Sequence, residues 1–283
     1  MPSQTVCYPA KLAHGHVTAL LRQGVREIFF PCLPREGQDT SVRGYNCPVV
    51  SGYPEVIRLN TDEVRELGAH LYTPFVSLEH LDTLVDRLHE VLGLPKLELW
   101  EAAHAARAEQ EAYRAVSELY QNGHRRIAVL TAAPDDSSIS QLRYLGYQRA
   151  LRDFGLTEHP EDLICAEDFT IANAYAAMQK RLRSPADFTA VFAIADDMAI
   201  GAMRALRESG RSIPEDCSVI AIDGISVSEY IHPMLTTLCQ PMTAMGEASV
   251  EILLDIIEGR GVHRHVTLPT ALREGASVRQ LKH

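Results

Sequence analysis

The chain of 283 residues contains no long hydrophobic run and no leader-like start. No stretch approaches the roughly 18 consecutive apolar residues that a membrane-spanning helix needs. The first residues, MPSQTVCYPAKLAHGH, lack the basic segment followed by an apolar segment that is typical of a secretory signal. The six cysteines are spread too thinly for a secreted disulfide scaffold. We therefore expect a cytoplasmic protein whose cysteines are free thiols or ligands.

Basic residues are outnumbered as well. The 27 lysines and arginines stand against 37 aspartates and glutamates, which gives a net charge of −10. A protein that grips a phosphate backbone normally carries the opposite balance. The composition therefore predicts that this chain does not bind DNA directly.

Several sequence motifs of enzymes are missing. The chain has no P-loop, no G-x-G-x-x-G, no G-x-S-x-G and no H-E-x-x-H. The sequence therefore contains no motif that indicates nucleotide hydrolysis, hydride transfer, or hydrolysis by a serine or a zinc ion. We expect a protein that is not an enzyme.

The second half of the chain alternates short apolar runs with amphipathic helical runs. Four runs have the continuous apolar character of strands buried on both faces: Arg126 to Leu130, Leu163 to Ala166, Ala190 to Ile194 and Ser218 to Ile222. Helices are predicted between them, over residues 139–155, 171–183 and 197–210. This alternation predicts an α/β fold with a parallel sheet flanked by helices, whose ligands bind at the carboxyl ends of the strands.

The first part of the chain is less regular. It predicts helices over residues 9–23 and 78–92 and a strand over residues 25–31, whereas the many prolines and glycines of residues 33–76 predict turns and short pieces. Residues 97–122 form one long run of helix formers that Gly123 ends. We therefore expect an N-terminal segment over 1–96, a bridging helix over 97–122 and a second domain over 123–283.

Three motifs of the second half occur together in one order: D-x-M-A-I-G at 196–201, I-P-E-D-x-S-V-I at 213–220 and L-T-T-x-x-Q-P at 235–241. With them, the chain from about residue 116 onward resembles the effector-binding core of LacI/GalR-family transcriptional regulators. The resemblance implies a periplasmic-binding-protein-like fold, a small-molecule effector such as a sugar or a nucleobase, and a homodimer. It also implies that residues 242–258 and 264–279 pack on the first lobe.

The same resemblance points to four ligand-binding residues: Arg143, Phe169, Asp196 and Asp223. An arginine fork and a carboxylate satisfy ligand hydroxyls from opposite sides, and an aromatic face covers a ring. By residue type alone, Arg143 could be a solvated helix residue, Phe169 a core residue and Asp223 a turn residue. Where the family usually has Asn-Asp, this chain has Ala195 before Asp196, so Asp196 is also a candidate helix N-cap.

Residues 1–114 carry a second resemblance, through TVCYPAKLAHGH, GVREIFFPC and YNCPVVSGYPEVI. These strings resemble the activase-related proteins of 2-hydroxyacyl-CoA dehydratases. That resemblance implies an iron–sulfur role for Cys7, Cys32 and Cys47, because thiolates are the usual cluster ligands. The alternative is three free thiols in a core.

Taken together, the chain is expected to be the small-molecule sensing part of a LacI/GalR-like regulator, with no recognisable helix-turn-helix headpiece, joined to an activase-related segment. The alternative is an iron–sulfur or acyl-CoA-linked component. A loop at Asp135–Ser138, after the first strand of the second half, is a further candidate for ligand contact, with a solvated turn as the alternative.

Overall fold

The structure, a computed structural model, describes residues 7–34, 46–78, 80–133, 139–260 and 266–281. The chain divides into two compact units. The first contains Met1–Ala103 and His265–Thr267, and the second contains His104–Arg264 and Leu268–His283. In the described ranges, no helix combines the length and the apolar character needed to cross a membrane.

The first unit is built on two short parallel strands. Its elements are α1 Tyr8–Arg22, β1 Glu27–Phe29, α2 Pro48–Asn60, α3 Asp62–Glu66, β2 His70–Tyr72, α4 Leu81–Leu92 and the beginning of α5 Lys96–Gln121. Ile28 of β1 lies opposite Leu71 of β2. Parallel strands need a crossover connection. The segment between β1 and β2, which includes α2 and α3, supplies it.

The prediction of turns and short pieces over residues 33–76 is wrong in part, because this stretch contains the 13-residue helix α2. Pro48 occupies the first turn, where its missing N–H costs nothing. Pro54 lies inside the helix and is buried. The helix persists because Ile57 packs with Val17 and Leu21 in the core of this unit.

The second unit confirms the predicted α/β class. Its elements are the rest of α5, β3 Ile127–Ala132, α6 Ile139–Asp153, β4 Leu163–Ala166, α7 Ile171–Leu182, β5 Ala190–Ala193, α8 Asp196–Glu208, β6 Ser218–Asp223, α9 Val227–Tyr230, β7 Thr236–Cys239, α10 Met242–Ile257 and β8 Ala271–Arg273. The strands form one sheet in the order β4-β3-β5-β6-β7-β8. All neighbours are parallel except β7 and β8.

The apolar character of the strands explains why they lie at the centre. Every residue of β3 and β5 is buried, as expected for strands covered by helices on both faces. The strand order reverses at β3, which has β4 on one side and β5 on the other. In open parallel sheets ligands bind at such a reversal, beyond the carboxyl ends of the strands.

The expectation that residues 264–279 pack on the first lobe is wrong for the stretch that contains β8. Leu272 of β8 pairs with Leu238 of β7 in the sheet of the second unit. Farther along, Ser277 Oγ donates to the carbonyl of Val219 at 2.6 Å and accepts from the backbone N–H of Thr236 at 2.8 Å. These bonds fix the C-terminal segment to β6 and β7. In α10, by contrast, no residue is buried.

Candidate ligand-binding site

Arg143 lies on α6 but is buried, with only 4% of its surface exposed. Its Nη1 donates to the carbonyl of Ile194, just after β5, and its Nη2 donates to Asp223 Oδ1 at 3.2 Å. The guanidinium therefore connects the helix that follows β3 with the ends of β5 and β6. This placement differs from that of a solvated helix arginine.

Asp223 ends β6 and has an unusual backbone conformation. Its φ is +132°, which makes it the one residue other than glycine with positive φ in the described part of the chain. Such a conformation costs about 1–3 kcal/mol, and strain of this kind concentrates at functional sites. Gly224 follows with φ +75°, and an added Cβ there would lie 2.5 Å from Cys239 Sγ. The turn therefore requires a glycine at 224 for two independent reasons.

Two side chains donate to the carboxylate of Asp223. Besides Arg143, the side chain of Gln240 donates through Nε2 to Asp223 Oδ1 at 3.0 Å, and the backbone N–H of Gln240 donates to the Asp223 carbonyl at 2.9 Å. Burial raises the pKa of Asp223 above its usual range, and the charge of Arg143 opposes that rise. Sequence reasoning missed Gln240 as a site residue, although L-T-T-x-x-Q-P places it immediately after a strand.

Phe169 follows β4 at the same edge of the sheet, with 38% of its surface exposed. The preceding Asp168 accepts from the backbone N–H of Thr170 at 2.9 Å and from its hydroxyl at 2.6 Å. Thr170 is in turn the N-cap of α7 and accepts from the backbone N–H of Asn173. An exposed aromatic ring on a firmly capped turn suits contact with a ligand better than a core role.

Asp196 is completely buried at the start of α8. Its Oδ2 accepts from the backbone N–H of Ile225 and from Ser228 Oγ, both at 2.9 Å, and its Oδ1 accepts from Thr237 Oγ1 at 2.5 Å. Burial raises the pKa of Asp196, and these hydrogen bonds oppose the rise. The N-cap interpretation is wrong, because the cap residue is Ala195 and no side chain caps the helix.

The three cysteines assigned to a cluster have different surroundings. Cys7 and Cys47 are exposed, whereas Cys32 is buried beside Phe75. Cys47 caps α2 by accepting from the backbone N–H of Val49, and burial raises the pKa of Cys32. Within the described ranges, no three His, Cys, Asp or Glu side chains are grouped as a metal site. The iron–sulfur role of these three cysteines therefore stays a prediction. The candidate loop Asp135–Ser138 lies outside the described residues.

Comparison with known protein families accounts for both parts of the chain. The model of the periplasmic binding protein-like domain matches residues 116–278. The chain belongs to the periplasmic binding protein-like family. The model of the CoA enzyme activase uncharacterised domain matches residues 1–142, which overlaps the first match. Both resemblances found in the sequence are therefore confirmed.

Curated relatives of the second half are transcriptional regulators rather than enzymes. The repressor CytR of Escherichia coli is 38% identical over 151 residues, which cover 53% of this chain and 44% of CytR. The regulator CelR of Thermobifida fusca is 40% identical over 146 residues, which cover 52% of this chain and 42% of CelR. The matched region is thus a LacI-family ligand-binding domain, and it spans less than half the length of these relatives.

Solved structures show the same fold. The Escherichia coli transcriptional repressor AscG has a TM-score of 0.56 and 27% identity, covering 80% of this chain and 84% of AscG. A complex of the transcriptional regulator CelR with cellobiose has a TM-score of 0.55 and 24% identity, covering 97% of this chain and 92% of that one. The fold of a LacI-family regulator is therefore shared.

Proposed function

We propose that the second unit senses a small molecule, a sugar or a nucleobase, as the effector-binding domain of a LacI-type transcriptional regulator. The observation that carries the proposal is the ion pair between the buried Arg143 and the half-buried Asp223 at the carboxyl edge of the sheet. A charged donor and a charged acceptor thus lie together at the carboxyl edge of the sheet, the edge where ligands bind in this class of sheet.

The chemistry of the pair suits a hydroxylated or heterocyclic ligand. A guanidinium donates along a fixed fork, and a carboxylate accepts from hydroxyl or ring N–H groups. The side chain of Asp223 keeps 28% of its surface exposed, so a ligand can reach it. Phe169 offers a ring face at the same edge. We propose that Arg143, Asp223 and Phe169 contact the ligand directly and that the buried Asp196 supports them from the interior.

The relatives support this choice of ligand class. One structural neighbour is the CelR–cellobiose complex, and another is a LacI-family regulator from Enterococcus faecium with bound ribose, with a TM-score of 0.54 and 24% identity. Binding would regulate by favouring one of two conformations, which requires different affinities for the two. We further propose that the chain forms a homodimer, which analytical ultracentrifugation tests directly.

Calorimetric titration with D-ribose, cellobiose and adenine tests the proposal. We expect at least one of them to bind the wild-type chain. Arg143→Ala or Asp223→Ala should then weaken binding roughly ten- to a hundredfold, because losing one partner of a charged hydrogen bond costs about 1.5–3 kcal/mol.

Arg149→Ala is the matched control for Arg143→Ala. Arg149 lies on the same helix, α6, but 61% of its side chain is exposed, and its partners are Glu109 and Asp153. Affinity should stay at the wild-type value in this variant. The proposal would be overturned if Arg143→Ala and Asp223→Ala both bound with the affinity of the wild type. It would also be overturned if none of the three compounds bound the wild-type chain at millimolar concentration.

A further inference from the structure

The strained backbone of Asp223 needs something to hold it, because a residue with a Cβ relaxes to negative φ unless its surroundings prevent this. The backbone N–H of Gln240 bonds the Asp223 carbonyl from the neighbouring strand. That bond fixes the end of β6 but leaves the residues that follow Asp223 unrestrained. The restraint on the following residues comes from a different side chain.

Asp196 provides that restraint through three hydrogen bonds. The backbone N–H of Ile225 and the hydroxyl of Ser228 bind one carboxylate oxygen, and the hydroxyl of Thr237 binds the other. The carboxylate thus ties the start of α8 to the loop after Asp223 and to β7. The two hydroxyl contacts lie in the interior, since Ser228 and Thr237 are both fully buried.

Ser228, which donates to Asp196, is itself held by the C-terminal segment. Arg273 of β8 donates to Ser228 Oγ and, through Nη1, to Glu229 Oε1 at 2.6 Å. Among the described residues Asp196 makes no salt bridge: its carboxylate accepts from neutral donors, and the charge of Arg273 opposes the rise of its pKa. Burying a carboxylate costs free energy, which its hydrogen bonds and nearby positive charge offset.

We propose that Asp196 is a positioning residue that keeps Asp223 in its strained conformation and so keeps the Asp223 carboxylate beside Arg143. The inference deepens the proposed function and rests on it only for the ligand role of Asp223. The mechanism is local: with Ile225 and Ser228 held, Asp223 cannot rotate to an ordinary φ without breaking hydrogen bonds to Asp196.

Two substitutions at one position isolate the backbone strain. Asp223→Gly and Asp223→Ala remove the same carboxylate, but only alanine is strained at φ +132°. In the full-length chain with Asp196 intact, we expect Asp223→Gly to melt about 2–6 °C above Asp223→Ala. This difference reports the strain imposed on position 223 and needs no ligand.

Combining each of these substitutions with a change at Asp196 tests the inference. In an Asp196→Ala background the melting difference should fall to zero or reverse, since glycine then contributes only extra entropy to the unfolded chain. In an Asp196→Asn background it should persist. An asparagine oxygen accepts from Ile225 and Ser228, and its amide donates to Thr237, whose hydroxyl can accept.

An unchanged difference in the Asp196→Ala background would overturn the inference. Should that background fail to fold, Ser228→Ala and Thr237→Val each remove one of the three hydrogen bonds and should reduce the difference in part. A melting difference that is unreduced in both of these backgrounds would also overturn the inference. Asp216→Ala, which removes a carboxylate that accepts from the backbone N–H of Ser212, is the control background and should leave the difference intact. Because no ligand is used, failure of the proposed function would show in the titrations and not here.

Discussion

Asp162→Ala is expected to lower the free energy of unfolding of the second unit by about 3–5 kcal/mol, because it leaves buried charge without its partner. Asp162 is 1% exposed and precedes β4. Its Oδ2 accepts from Arg126 Nε at 2.7 Å, and its Oδ1 accepts from Arg181 Nη2, also at 2.7 Å. The side chain of Arg181 is only 8% exposed, so its charge has little access to water.

Two neighbouring carboxylates provide matched controls for this substitution. Glu161 and Asp187 bind the same Arg126 at 2.9 Å and 3.0 Å, but their side chains are 53% and 75% exposed. Exposed ion pairs contribute about 0–1 kcal/mol. We therefore expect Glu161→Ala and Asp187→Ala to cost less than about 1 kcal/mol each, although the three pairs have similar geometry.

Urea unfolding followed by circular dichroism measures all three variants. The prediction concerns the ranking: Asp162→Ala should have a much lower midpoint than the two controls. The midpoint of Asp162→Asn should lie between that of Asp162→Ala and those of the two controls, because the asparagine oxygen still accepts from one arginine while the charge is lost. Similar midpoints for Asp162→Ala and Asp187→Ala would show that burial does not decide the strength of this network.

The sheet of the second unit could be predicted because its strands are defined locally. The run Ala190 to Ile194 is uninterrupted by charge, and buried parallel strands need that property along their whole length. The pair of Arg143 and Asp223 was indicated by the resemblance to LacI/GalR-family regulators and not by residue type. The two residues can meet because the helix after β3 and the end of β6 reach the same carboxyl edge of the sheet.

The supporting partners of the site could not be predicted in the same way. Asp196 is 32 residues from Ser228 and 41 residues from Thr237 in the sequence, and the fold of the sheet brings them together. A pattern of residue types does not reveal which hydroxyl will reach a buried carboxylate, nor that Asp223 must adopt positive φ. The helix α2 was missed for a related reason, since Pro54 disfavours a helix locally and packing in the core overrides it.

A pH-dependent loss of stability is expected from His124, which is completely buried between α5 and β3. Its Nδ1 lies 2.9 Å from Thr189 Oγ1, and its backbone N–H donates to the carbonyl of Leu119. Burial lowers the pKa of His124 to about 4, and the charge of Arg279 contributes to the lowering. The folded state therefore holds the ring neutral at pH values where the unfolded chain protonates it.

The direction of the effect follows from this difference. The unfolded histidine has a pKa of about 6.5, so below that pH the unfolded state binds the proton first and is favoured. The contribution of His124 to stability is complete above pH 6.5 and is lost as the pH falls towards 4. A difference between about 6.5 and about 4 corresponds to about 3 kcal/mol.

Comparison of the wild-type chain with His124→Asn separates this contribution from that of the carboxylates. Urea unfolding from pH 7.5 to pH 4 should show the stability advantage of the wild type shrinking by about 3 kcal/mol as the pH falls. Thr189→Val is the control, because it removes the contact at Nδ1 and leaves the buried ring able to titrate. Its pH dependence should therefore follow that of the wild type. An advantage over His124→Asn that stays constant across this pH range would mean that the ring of His124 is accessible to protons in the folded state.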